Sequence, residues 1–332
     1  MATTFQQTAT LFIIGAILSL TQGQNIDPEI QEKIDDYIQN FYLPATQTST
    51  LGLSIVQNDG EVLSFTSVIV IKVLSEKFPE LGEKVLDTPI RKLIPSANFT
   101  LNDRFRSEHT TFRDLLAHRT CISSNDLPLM TDAFDSAEDL TYRVRYTEEV
   151  CGIRSEFQYN NQMFVVAGHL AGLIANRSYE DLMQDLLTDL GMLNSSLTKL
   201  SDDFSNMPYR AMPRVIPFNA AGGLYATPDD MTRYMRFHLN FGSLDGKQVL
   251  PEAVMRWMTK PAIVAPWFAF KSSEEEKVTI LPGIWMGLFL GQHGGWQYVY
   301  HGGFWGPYLT RMSLFPKKKW PFLQAQTKAQ LR

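Results

Sequence analysis

An α+β fold, with an antiparallel sheet and a mostly helical insert, is predicted for this chain by three observations. Strand-like segments stand near its beginning, at Leu51-Gly52-Leu53-Ser54-Ile55-Val56, and again after Pro261. Helical and loop-rich sequence fills the interval from about Asp87 to Pro217. With 332 residues, 44% of them hydrophobic, the chain can bury a large core as one domain or two intimate subdomains. This order, with strands separated by a helical block, belongs to α+β architecture rather than to an alternating doubly wound sheet.

From Ile26 to Phe41, apolar residues recur at helical spacing (Ile30, Ile34, Tyr37, Ile38, Phe41) between charged ones, which predicts an amphipathic helix ended by Pro44. The strand at 51–56 leads into Asn58-Asp59-Gly60, a tight hairpin turn, and a return strand begins at Glu61-Val62-Leu63 but runs out after three residues. Val68-Ile69-Val70-Ile71-Lys72-Val73-Leu74 is β-branched. Its continuation through Ser75-Glu76-Lys77 into a Pro-containing turn favours a buried helix all the same.

Within the insert, Arg113 to His118 reads as a helix end, and Gln162–Ile174 and Tyr179–Leu190 read as apolar-periodic helices, the second stopped by Gly191. A further helix is punctuated at its start by Thr227 as N-cap, Pro228 at the first helical position, and Asp229 and Asp230 in the first turn, where negative charge meets the helix dipole. Strands are then predicted at Gly283–Leu290, Trp296–His301 and Pro307–Phe315, separated by Gly-rich turns.

The two ends differ from this body. Leu11 to Leu20 is a ten-residue apolar run followed by Thr21-Gln22-Gly23. It is too short to span a bilayer, which takes about 20 residues, and fits the central region of a secretory signal at 1–23, although no Lys or Arg precedes it. No later segment is long and apolar enough to span. From Lys317 to Arg332 there are five basic residues and no acid, so the tail at 317–332 is expected to be solvated and poorly ordered. The net charge of −5 gives no footprint for nucleic acid.

Secretion changes how other residues read. Cys121 and Cys151, the two cysteines of the chain, form a plausible disulfide in an oxidising compartment, and would be separate buried thiols in the cytosol. Asn98-Phe99-Thr100, Asn176-Arg177-Ser178 and Asn194-Ser195-Ser196 are acceptor sequons, so Asn98, Asn176 and Asn194 are candidate glycosylation sites. No metal ligand set and no cofactor motif is assigned.

The stretches that carry chemistry are Tyr159-Asn160-Asn161 and His301-Gly302-Gly303, each weak alone. Ser64-Phe65-Thr66-Ser67-Val68-Ile69, Leu86-Asp87-Thr88-Pro89-Ile90, Leu115-Leu116-Ala117-His118-Arg119-Thr120, Phe157-Gln158, Leu190-Gly191-Met192 and Ala221-Gly222-Gly223-Leu224 accompany them. In this order the set resembles the serine β-lactamase and penicillin-binding-protein superfamily, in its class C-like branch of esterases and peptidases (the S12 peptidase family), over about residues 28 to 316. The resemblance implies a β-lactamase/transpeptidase-like sandwich at 24–316, with the helical subdomain at about 87–217. It also implies acyl transfer through a Ser-x-x-Lys pair, with Tyr159 as proton shuttle, Asn161 as orienter of substrate, His301 as polariser and the Phe304 backbone as one oxyanion donor.

The resemblance also exposes a gap. Family members carry Ser-x-x-Lys immediately before the equivalent of Ser64, and here Leu63 stands there instead. About two dozen residues are missing by comparison with the family pattern, including the return strand. Ser64 has Ser67 at the Lys position, Lys72 lies eight residues on, about 12 Å along a helix, and the Ser196–Lys199 pair falls where the family has a surface turn. After Pro316 the family expects another central strand, which Pro321 would break. The sheet is therefore expected to be short of two strands, both flanking the first.

The expected function is a secreted, catalytically inactive member of this fold that binds a small acyl or peptide ligand or extracellular matrix components. Secreted relatives resemble proteins of calcified shell matrices, although the chain lacks Asp-rich mineral-binding runs. Two alternatives stay open: a serine hydrolase whose nucleophile segment is missing from this sequence, and an enzyme with a substitute nucleophile.

Overall fold

The computed structural model describes residues 28–42, 48–55, 64–126, 128, 133–198, 219–264, 278–279, 283–293, 296–305, 308–315 and 320–328. The expected signal at 1–23, the turn at 58–60, the return strand at 61–63 and Lys317 to Lys319 lie outside the described residues. Helix α1 covers Pro28–Tyr37 and continues as one wider turn to Tyr42. Strand β1 follows at Thr48–Ile55.

Helix α2 (Phe65–Lys77) is the centre of the core. Val68, Ile69, Val70, Ile71, Val73 and Leu74 are all buried, so the helix is apolar around its circumference, as a helix enclosed on every side must be. Its β-branched run favours strand locally. Burial, together with an N-cap hydrogen bond from the Ser67 N–H to the Ser64 side chain, holds it helical. Pro79 stops it, because the residue before a proline is disfavoured in helical conformation.

The insert wraps α2. Helices α3 (Arg104–His109), α4 (Phe112–Leu116), α5 (Ala137–Arg143), α6 (Asn161–Ala175) and α7 (Tyr179–Asp189) follow in order. Helix α6 packs along α2, and its Met163, Val166, Ala167 and Leu170 are buried in the same core. Gly168 lets it approach a helical turn at Asn219–Gly222: a Cβ there would stand 2.6 Å from the Ala220 Cβ. Helix α8 (Pro228–Leu239) starts as its sequence signals, with the Thr227 side chain accepting from the Asp230 N–H.

Five further strands complete the sheet: β2 (Val278–Thr279), β3 (Phe289–His293), β4 (Trp296–Trp305), β5 (Tyr308–Phe315) and β6 (Trp320–Lys328). Their spatial order is β1-β6-β5-β4-β3-β2, with every neighbouring pair antiparallel. The expectation of a disordered tail at 317–332 and of no strand after Pro316 is corrected by β6, which lies between β1 and β5. Pro321 is tolerated because the β1 ladder ends at Ile55↔Phe322, so proline stands beyond the last pair on that flank, at the second residue of its strand. Strand β1 is thus paired on one flank, and the missing-strand reading applies to the segment after residue 55 alone. Strand β3 starts later than predicted, at Phe289, because Trp285 to Leu288 form a turn with Gly287 at φ +86°.

Within the insert, Asp114 is fully buried and accepts from Arg119 Nε at 2.6 Å, from Arg154 Nη2 at 2.7 Å, and from both the N–H and hydroxyl of Thr111. Arg106, also buried, donates to the carbonyls of Thr120 and Cys151 and pairs with Glu149 at 2.8 Å. Cys121 and Cys151 form a disulfide. These contacts fasten the turn at 117–121 to the segment at 149–160.

Burial pushes the Asp114 carboxyl up, but the Arg154 hydrogen bond and the charges of Arg119 and Arg154 outweigh it and hold it below its usual value. A carboxylate depressed on folding stabilises above its unfolded pKa, about 3.9, and that contribution is lost as pH falls through the folded value. Asp114→Asn is expected to lower stability by about 3 kcal/mol, since it removes the buried carboxylate that Arg119 and Arg154 share. Urea unfolding at pH 7 measures the loss, and the difference from wild type should shrink in acid. Replacing both cysteines by Ser should cost about 3 kcal/mol, the constraint on a loop of this size, readable in the same titration.

Candidate active site

The clamped segment delivers two side chains to one cavity. His118 sits at φ +54°, a left-handed conformation that histidine adopts more readily than most residues. The turn is held there by Gln158 N–H donating to the His118 carbonyl (2.8 Å) and by Arg154 N–H donating to the Arg119 carbonyl (2.8 Å). Tyr159 follows immediately. Asn160 then caps α6: its Oδ1 accepts from the Met163 N–H, and its Nδ2 donates to the carbonyls of Ile122 and Ser123, each at 3.1 Å. Asn161 is the first helical residue, and its amide donates to Asp126 at 3.0 Å.

His301 arrives from the sheet. It lies in β4 opposite Met312 in β5, and Gly303 lies opposite Thr310. The His301 ring stands 6.5 Å from that of Tyr159 and stacks on Phe289 at 5.7 Å, centroid to centroid. Phe304 follows on the same strand, its backbone in register with Leu309.

The third contribution is the N-terminus of α2. Ser64, Tyr159, Asn161, His118 and His301 line one cavity of about 260 Å³, floored by Tyr179, Met183, Met231 and Tyr234. The structure therefore brings together Tyr159, Asn161 and His301, as the motif order predicts. Sequence reasoning gave His118 no site role: its Leu-Leu-Ala-His-Arg-Thr stretch reads as a helix end and as part of the family resemblance. It also missed the role of Gly287: a Cβ there would fall 2.6 Å from the Ser64 Oγ, so glycine lets that turn close on the start of α2.

The hydroxyl chain at Ser64 decides what this end of the site can do. Ser67 donates to the Met286 carbonyl at 3.0 Å, which uses its one proton. Ser64 and Ser67 are 2.8 Å apart, so Ser64 is the donor between them. The relay ends on a carbonyl, which cannot take a proton at neutral pH. Lys72 is two turns further along α2 and pairs with Glu76. Ser196 is exposed on a two-residue strand opposite Tyr225 and does not line the cavity.

The two histidines are neutral. Burial, then the neighbouring His301, lower the His118 pKa to about 3. Its Nδ1 accepts from the Asn160 N–H at 3.1 Å, which leaves the proton on Nε2 and makes His118 a donor toward the cavity, not a base. Burial also lowers the pKa of His301. The Tyr159 phenol is pushed up to about 12 by burial and by Asp126, so it too stays protonated. Among the described residues no cluster of His, Cys, Asp and Glu is placed to hold a metal ion, and no helix is long and apolar enough to cross a membrane.

A family model described as Beta-lactamase matches residues 64–320. The chain belongs to the β-lactamase family. Two curated relatives are named as unguisins hydrolases: ungD' of Aspergillus campestris is 23% identical over 54% of this chain and 38% of its own length, and ungD of Aspergillus violaceofuscus is 25% identical over 46% and 27%. The chain thus spans well under half the length of these relatives. Among solved structures, the octameric penicillin-binding protein homologue from Pyrococcus abyssi superposes with a TM-score of 0.67 at 20% identity, covering 90% of this chain and 73% of that one. A β-lactamase/D-alanine carboxypeptidase from Yersinia pestis gives 0.67 at 14%, covering 92% and 94%. A class C β-lactamase gives 0.65 at 15%, covering 94% of both chains. These likenesses establish the β-lactamase/transpeptidase-like fold.

Tyr159, Asn161 and His301 all lie within the matched span of residues 64–320. The sequon residues Asn98, Asn176 and Asn194 are all exposed. His118 is expected to remain the neutral Nε2–H tautomer from pH 8 down to pH 4 in ¹⁵N–¹H correlation spectra. Because folding lowers its pKa from about 6.5, the unfolded chain takes up a proton that the folded chain refuses. Stability should therefore fall as pH drops below 6.5.

Proposed function

We propose that this chain is a secreted β-lactamase-family protein that binds a small acyl or peptide ligand in the Ser64–Tyr159–His301 cavity without turning it over. The observation that carries this reading is the hydroxyl relay from Ser64 through Ser67 to the Met286 carbonyl. Nucleophilic catalysis needs a base within hydrogen-bond reach of the attacking hydroxyl. Ser67, three residues after Ser64, is the residue at Ser-x-x-Lys spacing from it, and no Lys or Arg is among the described residues lining the cavity. Tyr159 and His118 are both held in protonated, donating forms, which suits the recognition of a carbonyl or hydroxyl.

An extracellular setting is supported by the Cys121–Cys151 disulfide and by the exposure of all three sequon asparagines. A role among matrix components is the extension of that setting. The competing reading, a serine hydrolase, draws on the family match, the hydrolase names of the curated relatives, and the position of Ser64 at the head of α2 inside the cavity.

The two readings separate in one experiment. The purified full-length chain, incubated with a fluorophosphonate probe and separately with a chromogenic cephalosporin, is expected to be neither labelled nor to release colour. Stoichiometric labelling that disappears in Ser64→Ala would overturn the binding-only reading. Expression of the full chain in a eukaryotic secretory host should deliver it to the medium, with a gel shift on glycan removal. Retention of an unmodified chain in the cytosol would overturn the extracellular assignment.

A further inference from the structure

The cavity has a chemical peculiarity in addition to its missing base. Among the described residues that line it there is no Lys, Arg, Asp or Glu. Its titratable members are histidines and tyrosines, and the environment favours the uncharged form of each: burial lowers His118 and His301 and raises Tyr159 and Tyr179. The carboxylate of Asp126 lies behind Asn161, bonded to its amide, and acts on Tyr159 from outside the lining. The described lining of the site is therefore electrically neutral, and the carboxylate behind Asn161 is negative.

The lining combines polar groups with an apolar wall. Ser64, Tyr159, Asn161 and His301 supply hydroxyl, amide and imidazole partners. Phe164, Met183, Leu224, Met231, Leu288 and Met312 supply apolar wall. Three of those six are methionines, unbranched and able to repack around differing shapes. The volume, about 260 Å³, falls just below the range of common small-molecule pockets, about 300–1,000 Å³.

We propose that this cavity takes an uncharged amphiphile, with an amide, ester or alcohol head on a short apolar body, and rejects the corresponding carboxylate. The inference rests on the reading of the cavity as a ligand site and adds the charge class of the ligand. A carboxylate entering would lose its hydration without meeting a cation among the described lining residues. The N-terminus of α2 compensates in part, by about two- to fivefold in affinity at an exposed site. Desolvation of an unpaired carboxylate is worth more than a hundredfold in the other direction. A neutral head loses far less water and finds donors and acceptors ready.

Isothermal titration of the full-length chain at pH 7.5 with octanamide, octanoate and octylammonium, which share one apolar body, tests the charge class. Octanamide is expected to bind at least tenfold more tightly than either charged compound. Ala226→Trp, which places a large ring at an exposed lining position, should abolish that binding while leaving the unfolding midpoint unchanged. Met231→Lys should raise octanoate affinity at least tenfold over wild type, a gain that misfolding cannot produce. Octanoate binding as tightly as octanamide would overturn the neutral-ligand inference and leave the cavity as a ligand site. Octylammonium binding most tightly would overturn it in favour of attraction by Asp126. If none of the three binds, and Ala226→Trp changes nothing, the ligand-site reading falls with it.

Discussion

The buried Asp114 carboxylate is the constraint on which the geometry of the site depends. A charge with no access to water persists only when it is paired and hydrogen-bonded. Asp114 meets that condition by drawing Arg119 and Arg154 to itself from two separate stretches of chain. Arg119 follows His118 directly, and Arg154 lies five residues before Tyr159. Pairing both guanidiniums to one carboxylate fixes the spacing between the two stretches. Arg106 and the disulfide repeat the constraint one step away, at Thr120 and Cys151. Left-handed backbone at His118 and at Cys121 carries a local cost that such over-determined surroundings can sustain.

Helix α2 has the opposite character. It is held by apolar burial on all sides, which specifies its position in the core and says little about the chemistry at its end. The serine at that end is a good helix cap, and capping and nucleophilic attack make different demands on one hydroxyl. As a cap, Ser64 must accept from the Ser67 N–H. As a nucleophile it would need to give its proton to a base. Ser67 forwards that proton to a carbonyl and so satisfies the structural demand alone.

Much of the fold was legible in the sequence, because periodicity and punctuation record burial and capping directly. The N-cap at Thr227, the stop at Gly191 and the apolar helix at 161–175 all stand where the residues predict them. Strand β6 was not legible. Its Lys-rich approach and its proline read as solvated tail, and only the register with β1 and β5 explains how Pro321 is accommodated. In the site, Tyr159, Asn161 and His301 were visible as motifs. His118 was not, because its placement arises from backbone pairing between 118–121 and 150–158. That pairing leaves no periodic trace in either segment. The Ser64–Ser67–Met286 relay was equally hidden, since its last member lies more than 200 residues along the chain.

The walls of the cavity have independent supports. His118, Tyr159 and Asn161 depend on the Asp114 clamp and the α6 cap. His301, Thr310 and Met312 depend on the β4–β5 register. Met231 and Tyr234 depend on α8, whose own cap and first-turn carboxylates hold its start. None of these supports requires a nucleophile or a lysine. A site that lost a Ser-x-x-Lys turn would therefore lose a nucleophile and a cation, while the apolar volume and the hydrogen-bonding rim remain. A site altered in that way changes its charge preference before it loses its capacity to bind, because desolvation of an unpaired charge outweighs the modest worth of any single remaining hydrogen bond.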